Sequence, residues 1–202
     1  MSVNLQKGQK VELRKNNGGE LRHVIVGLGW DEAAQAPNRG FFAALRSAST
    51  QAIDCDASAF ICSNGKLIGV PDVVYFGNLQ HRSGAVRHMG DNLTGAGDGD
   101  DEQILVDLGG LPTCYDKIVF VVNIYQARER SQHFGMIRNA FIRICDYDTG
   151  QELCRYNLSE NYNGMTAMVF GELYRYNGKW KFNAIGQPTQ DNSISTLAAR
   201  YQ

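Results

Sequence analysis

The chain has 202 residues, 43% of them apolar, with 20 Lys and Arg against 21 Asp and Glu and a net charge of −1. This globular balance excludes a globally basic nucleic-acid or membrane-surface binder. No apolar run approaches the ~18 residues of a transmembrane helix, and Met1-Ser2-Val3-Asn4-Leu5-Gln6-Lys7 lacks the apolar core of a secretory signal, so a cytoplasmic protein with one domain over 1–202 is expected.

In chain order, Lys10-Val11-Glu12-Leu13 alternates polar and apolar like a strand. His23 to Trp30 is β-branched and ends in a Gly-rich turn. Asp31 to Gln51 has no strand pattern and reads as an excursion loop with at most one helical turn. Short strands are expected at Ser58 to Ser63, Val73 to Phe76, Val86 to Met89 and Gln103 to Leu108. Lys117 to Tyr125 is the most continuous apolar run and predicts a central strand buried on both faces. Asn139 to Asp146, Glu152 to Leu158, Thr166 to Tyr176 and Trp180 to Ile185 follow, with Asn177-Gly178 as a two-residue hairpin turn between the last two. Ile194 to Arg200 fits a short C-terminal helix. About ten short strands, no βαβ alternation and few helical stretches predict an all-β, two-sheet sandwich.

The five cysteines, Cys55, Cys62, Cys114, Cys145 and Cys154, show no C-x-x-C spacing and read as reduced thiols rather than a disulfide or zinc framework. The four histidines are scattered. Walker-type, dinucleotide, nucleophile-elbow and H-E-x-x-H patterns are all missing, so no enzymatic motif is found.

One segment stands out. Asp91 to Glu102 holds five acidic residues in 12 positions, with glycines interleaved and no Lys or Arg. Such a loop must either stay solvated or bind a cation. Asp and Gly in alternation can aim carboxylates and carbonyls at one centre, as Ca²⁺ with its hard oxygen ligands requires, whereas Zn²⁺ would want His or Cys. The spacing is not that of an EF-hand, since Leu93 and Gly95 stand where ligands are needed. The expected metal site has Asp98, Asp100 and Glu102 at its core. Asp91, Asn92, Asp101 and Asp56 support it, together with a carbonyl of Gly97 or Gly99. Asp31 and Asp54, at or near strand ends, are further candidates if loops cluster at one end of the sandwich. Replacing Asp98 and Asp100 together by Asn is then expected to spare the metal-free protein.

These segments resemble the TerD family of bacterial tellurium-resistance and stress-response proteins. The likeness runs through Val3 to Val11, Gly27-Leu28-Gly29-Trp30-Asp31, Asp54-Cys55-Asp56-Ala57-Ser58, Gly90 to Glu102, Lys117 to Phe120, Asn139-Ala140-Phe141-Ile142-Arg143, Ala167 to Arg175 and Trp180-Lys181-Phe182. It departs at Cys55, where the family usually carries leucine, and is weakest over Asp31 to Thr50. The resemblance implies a β-sandwich binding two Ca²⁺ ions through the acidic loop, without catalysis. It also implies a role in tellurite or chemical-stress resistance as a scaffold alongside other Ter-type proteins, in the cytoplasm or peripheral to the membrane. No nucleic-acid partner is implied, and a monomer or weak oligomer is expected. The alternatives are a cyclic-nucleotide or other small-ligand module, or thiol-based metalloid detoxification.

Overall fold

The computed structural model describes residues 2–15, 18–32, 52–91 and 99–202. Among these, twelve strands form two six-stranded sheets. The first sheet runs in the order β1 (Val3–Leu5), β10 (Glu152–Asn157), β9 (Ile137–Asp146), β3 (His23–Glu32), β7 (Glu102–Asp107) and β6 (Val86–Asp91). The second runs β2 (Lys10–Glu12), β12 (Lys179–Thr189), β11 (Ala167–Tyr176), β8 (Lys117–Ile124), β4 (Cys55–Cys62) and β5 (Val73–Val74). The all-β sandwich expected from the spacing is therefore present. Most of the expected segment 31–51 lies outside the described residues.

Period-two alternation builds the core. Val24, Val26 and Leu28 of β3, Ile104 and Val106 of β7, and Ile142 and Ile144 of β9 face the gap between the sheets. They meet Ala57, Ala59 and Ile61 of β4, Phe120 and Val122 of β8, and Met168 and Phe170 of β11. β8 is buried on both faces, as its unbroken apolar run predicts. Its other face, Val119 and Val121, joins Phe60, Cys62, Ala167 and Val169 in a second apolar cluster. The C-terminal helix α1 (Ile194–Ala198) closes that cluster with Leu197 and Ala198. Ser193 starts the helix by accepting from the Thr196 amide, while the Thr196 side chain reaches back to the Ser193 amide.

The β11–β12 hairpin turns at Asn177 and Gly178, whose φ values of 51° and 73° are those a two-residue primed turn demands. Several boundaries differ from expectation: Gly27 to Gly29 forms no turn but lies inside β3, which runs on to Glu32, β5 stops at Val74, β9 starts at Ile137 and β12 continues to Thr189. β1, three residues long, is too short to leave a pattern, yet it docks parallel on β10. β4 begins at Cys55 rather than Ser58, so Asp56 lies inside the strand, opposite Asn123 of β8.

Candidate functional site

Antiparallel pairing brings the acidic residues to one end of the sandwich. Asp31 lies at the end of β3, Asp54 and Asp56 at the start of β4, Asp91 at the end of β6 and Glu102 at the start of β7. Register places Glu102 opposite both Leu28 and Asp91. The Cys55 thiol reports the convergence. Burial pushes its pKa well up, and Asp56, Glu102, Asp54 and Asp101 push it further. Loops from distant parts of the chain therefore do meet here. Asn92, Gly97 and Asp98 lie outside the described residues, and of Asp91 only the backbone is described.

Within this end, the three consecutive acids point to three different strands. The Asp100 side chain is 1% exposed and lies on the outer face of the first sheet. Arg143 of β9 grips it with both arms, Nε on Oδ1 at 2.7 Å and a terminal nitrogen on Oδ2 at 3.1 Å. Gln103 Nε2 donates to Oδ2 at 2.9 Å. The carboxylate sits where a side chain at Gly27 would stand, and a Cβ there would overlap it. The bond to Asp100 raises the pKa of Arg143.

Asp101 Oδ2 accepts from the Trp30 amide at 2.6 Å. The β3–β9 register slip places its extra residue on β9, where Gly29 to Asp31 spans Phe141 to Arg138, and the Trp30 amide lies just past the point where β3–β7 pairing ends at Leu28 and Glu102. Glu102 faces inward, as Ile104 and Val106 do. Its Oε2 accepts from the Ala57 amide of β4, on the side of that strand where the two-residue β5 no longer reaches. The same oxygen lies 3.6 Å from His88 Nε2. His88 Nδ1 accepts from the Gly90 amide, which leaves Nε2 the protonated nitrogen facing Glu102.

Asp100 and Glu102 thus stand on opposite faces of the first sheet although they are two residues apart. The bend at Asp101 breaks the strand alternation between them. The other candidates have partners of their own. Asp31 Oδ2 accepts from Asn139 at 2.7 Å, and Asp54 lies 3.8 Å from Arg130. Asp56 shares the outer face of the second sheet with Asn123, whose buried Oδ1 finds no hydrogen-bond partner among the described residues. Gly99 is exposed. Among the described residues, no three His, Cys, Asp or Glu side chains are disposed to hold a metal.

Nothing in the sequence pattern marked Arg143, His88 or the Trp30 and Ala57 amides. Arg143 reads as the polar position of an alternating strand, and a backbone donor freed where a neighbouring strand stops leaves no composition signal. Four thiols are buried, and burial pushes Cys62 and Cys154 up to about 12. They are core residues in the thiol form, far from the thiolate character a reactive cysteine needs. Among the described residues no helix is long and apolar enough to cross a membrane.

Known proteins match this chain end to end. The TerD domain covers residues 1–201. The Bacillus subtilis stress response protein SCP2 is 47% identical over 201 residues, spanning 100% of both chains. The Serratia marcescens tellurium resistance protein TerD is 47% identical over 202 residues, covering 100% of this chain and 97% of its own. The crystal structure of a TerD homologue from Streptomyces coelicolor shares the fold, with a TM-score of 0.61 at 20% identity over 89% of this chain and 96% of that one. The match over its whole length makes the chain a member of the TerD family.

Proposed function

We propose that this protein is a non-enzymatic, calcium-binding interaction module serving tellurite and chemical-stress resistance. The family and the names of its relatives support the resistance role. The calcium reading is carried by one observation, the strand-end placement of Asp31, Asp54, Asp56 and Asp91 at the end of the sandwich where Glu102 bridges to β4.

The donor chemistry fits in kind. Carboxylates and the Asn123 carbamoyl oxygen are hard ligands, and the cysteine among them is buried as a thiol. The fit is not uniform, because Asp100, Asp101 and Glu102 have donors of their own in the fold. The residues that would hold the ion are therefore Asp56 and Asn123 together with Asp91, Asn92, the Gly97 carbonyl and Asp98. Bound there, calcium would neutralise this end and order it for a protein partner of the same resistance system, in the cytoplasm or at the membrane periphery. Burial of four of the five thiols, all but the exposed Cys114, favours this over thiol-based detoxification. The acidic charge favours it over a nucleotide-binding module, whose phosphate would need donors instead.

Calorimetric titration of chelator-stripped protein tests the reading. Calcium should bind, millimolar Mg²⁺ should not displace it, and Asp56→Asn combined with Asp98→Asn should remove most of the heat. Equal affinity for the two cations, or an unchanged double variant, would refute it.

A further inference from the structure

We infer that Asp100-Asp101-Glu102 is a three-way staple that holds the two sheets together at this end, with Arg143 as its positioning residue, rather than the core of a metal site. Each carboxylate meets a donor on a different strand. Asp100 takes Arg143 of β9, Asp101 takes the Trp30 amide of β3, and Glu102 crosses to the Ala57 amide of β4 in the opposite sheet.

Two of these donors are backbone amides beyond the reach of a neighbouring strand, one past the end of the β3–β7 pairing and one past the end of β5. An unpaired amide buried this deeply is costly, so the staple answers needs the fold itself creates. Asp101 and Glu102 reach their amides only if the backbone at residue 100 is fixed against β3. Three features fix it: the two-armed Arg143 contact, the Gln103 bond, and the space left by Gly27. Arg143 is itself steadied by Glu152 at 3.6 Å. It therefore acts on Trp30 and Ala57 through Asp100, without touching either.

This holds whether or not calcium binds, so it is tested on the full chain with chelator present. Arg143→Gln and Asp100→Asn should each lower the melting temperature by about 5–10 °C, as expected for breaking a largely buried ion pair in a domain of this size. Arg143→Lys, which keeps the charge but loses the fork, should recover about half of the loss. Amide hydrogen exchange at Trp30 and Ala57 should quicken at least tenfold in Arg143→Gln. A local loss at Arg143 alone would leave those amides unchanged. Should Arg143→Gln fail to fold, Gln103→Ala should show the same exchange pattern at smaller amplitude. Unchanged exchange at Trp30 and Ala57 overturns the proposal. So does an Asp100→Asn protein that keeps its metal-free melting temperature but loses a calcium response seen in the wild type. A wild type with no calcium response would sink the calcium reading and leave the staple standing.

Discussion

Among the described residues, two regions that bury carboxylates, the flank around Asp72 and the acidic end, are built differently. Asp72 closes a 3-10 turn on the flank of the sandwich, with its side chain 2% exposed. Its Oδ1 faces three donors: His81 Nε2 at 3.1 Å, the Tyr115 hydroxyl at 3.0 Å and Arg82 at 2.9 Å. His81 Nδ1 meets the Ser83 hydroxyl at 2.7 Å and packs its ring edge-to-face on Tyr115 at 5.0 Å. One acid there gathers several donors, so the charge is answered locally. At the acidic end Asp31, Asp54, Asp100, Asp101 and Glu102 each have a partner of their own, and the three consecutive acids reach donors on three different strands. Burial of a carboxylate therefore does not by itself mark a ligand site. What separates the two regions is reach: one carboxylate gathers its donors locally on the flank, whereas the acidic triplet ties together β9, β3 and β4.

The largest effect should come from emptying the complete site. Asp72→Ala strands two buried donors, His81 and Tyr115, and takes the anionic partner from the exposed Arg82. Removing one partner of such a network costs about 3–5 kcal/mol, or roughly 6–15 °C of melting temperature. Any calcium response should survive, because the site lies outside the acidic end. Thermal melts with and without calcium measure both. A variant that loses the calcium response while still folded would show the two regions to be coupled and erase the contrast.

Next in size is calcium itself. At about 100 times its dissociation constant a ligand bound only by the folded state adds about 2.7 kcal/mol, or roughly 5–10 °C here. Asp98→Asn should remove most of that rise while leaving the chelator-treated protein as stable as the wild type, since one less negative charge relieves repulsion. The sequence alone suggested that Asp100→Asn would behave in the same way. The Arg143 contact reverses that expectation, and the two single variants should separate cleanly in metal-free melts.

The fold was largely legible in the sequence because period-two alternation and turn chemistry are local. The doubly buried β8 and the Asn177-Gly178 hairpin follow from such signals. The approach of Glu102 to the start of β4 was legible for a topological reason, since loops of a sandwich collect at its ends. The partners of the acidic triplet were not legible. Asp100 and Glu102 share a parity that predicts one face, and only the bend at Asp101 sets them on opposite faces. Trp30 and Ala57 act through backbone amides, whose availability depends on where β7 begins and where β5 stops. Arg143 is far away in sequence and becomes adjacent through β3–β9 pairing.

The smallest effect uses pH to extend the contrast to groups buried without charge. Cys154 lies in the core between the sheets, and burial, followed by Glu152 and Cys145, raises its thiol from 9.0 to about 12. Cys62, under the C-terminal helix, is raised equally far, chiefly by burial. An unfolded chain releases these protons near pH 9, whereas the folded protein holds them until about 12. The unfolded state thus binds fewer protons between those limits, so the stabilising contribution is complete below pH 9 and falls as pH rises. Each thiol that is fully ionised only when unfolded contributes a slope of about 1.4 kcal/mol per pH unit. Tyr156 and Tyr201 are also raised to about 12, but from 10.0, so the interval from pH 9 to 10 belongs mainly to the thiols. Urea unfolding across that interval should show wild-type stability falling. Cys154→Ala should start lower at pH 8, from the lost packing, yet fall less steeply, by up to about 1.4 kcal/mol per unit. Equal slopes in the two proteins would mean that Cys154 gives up its proton in the folded state as readily as in water. The core between the sheets would then be wetter than its packing implies.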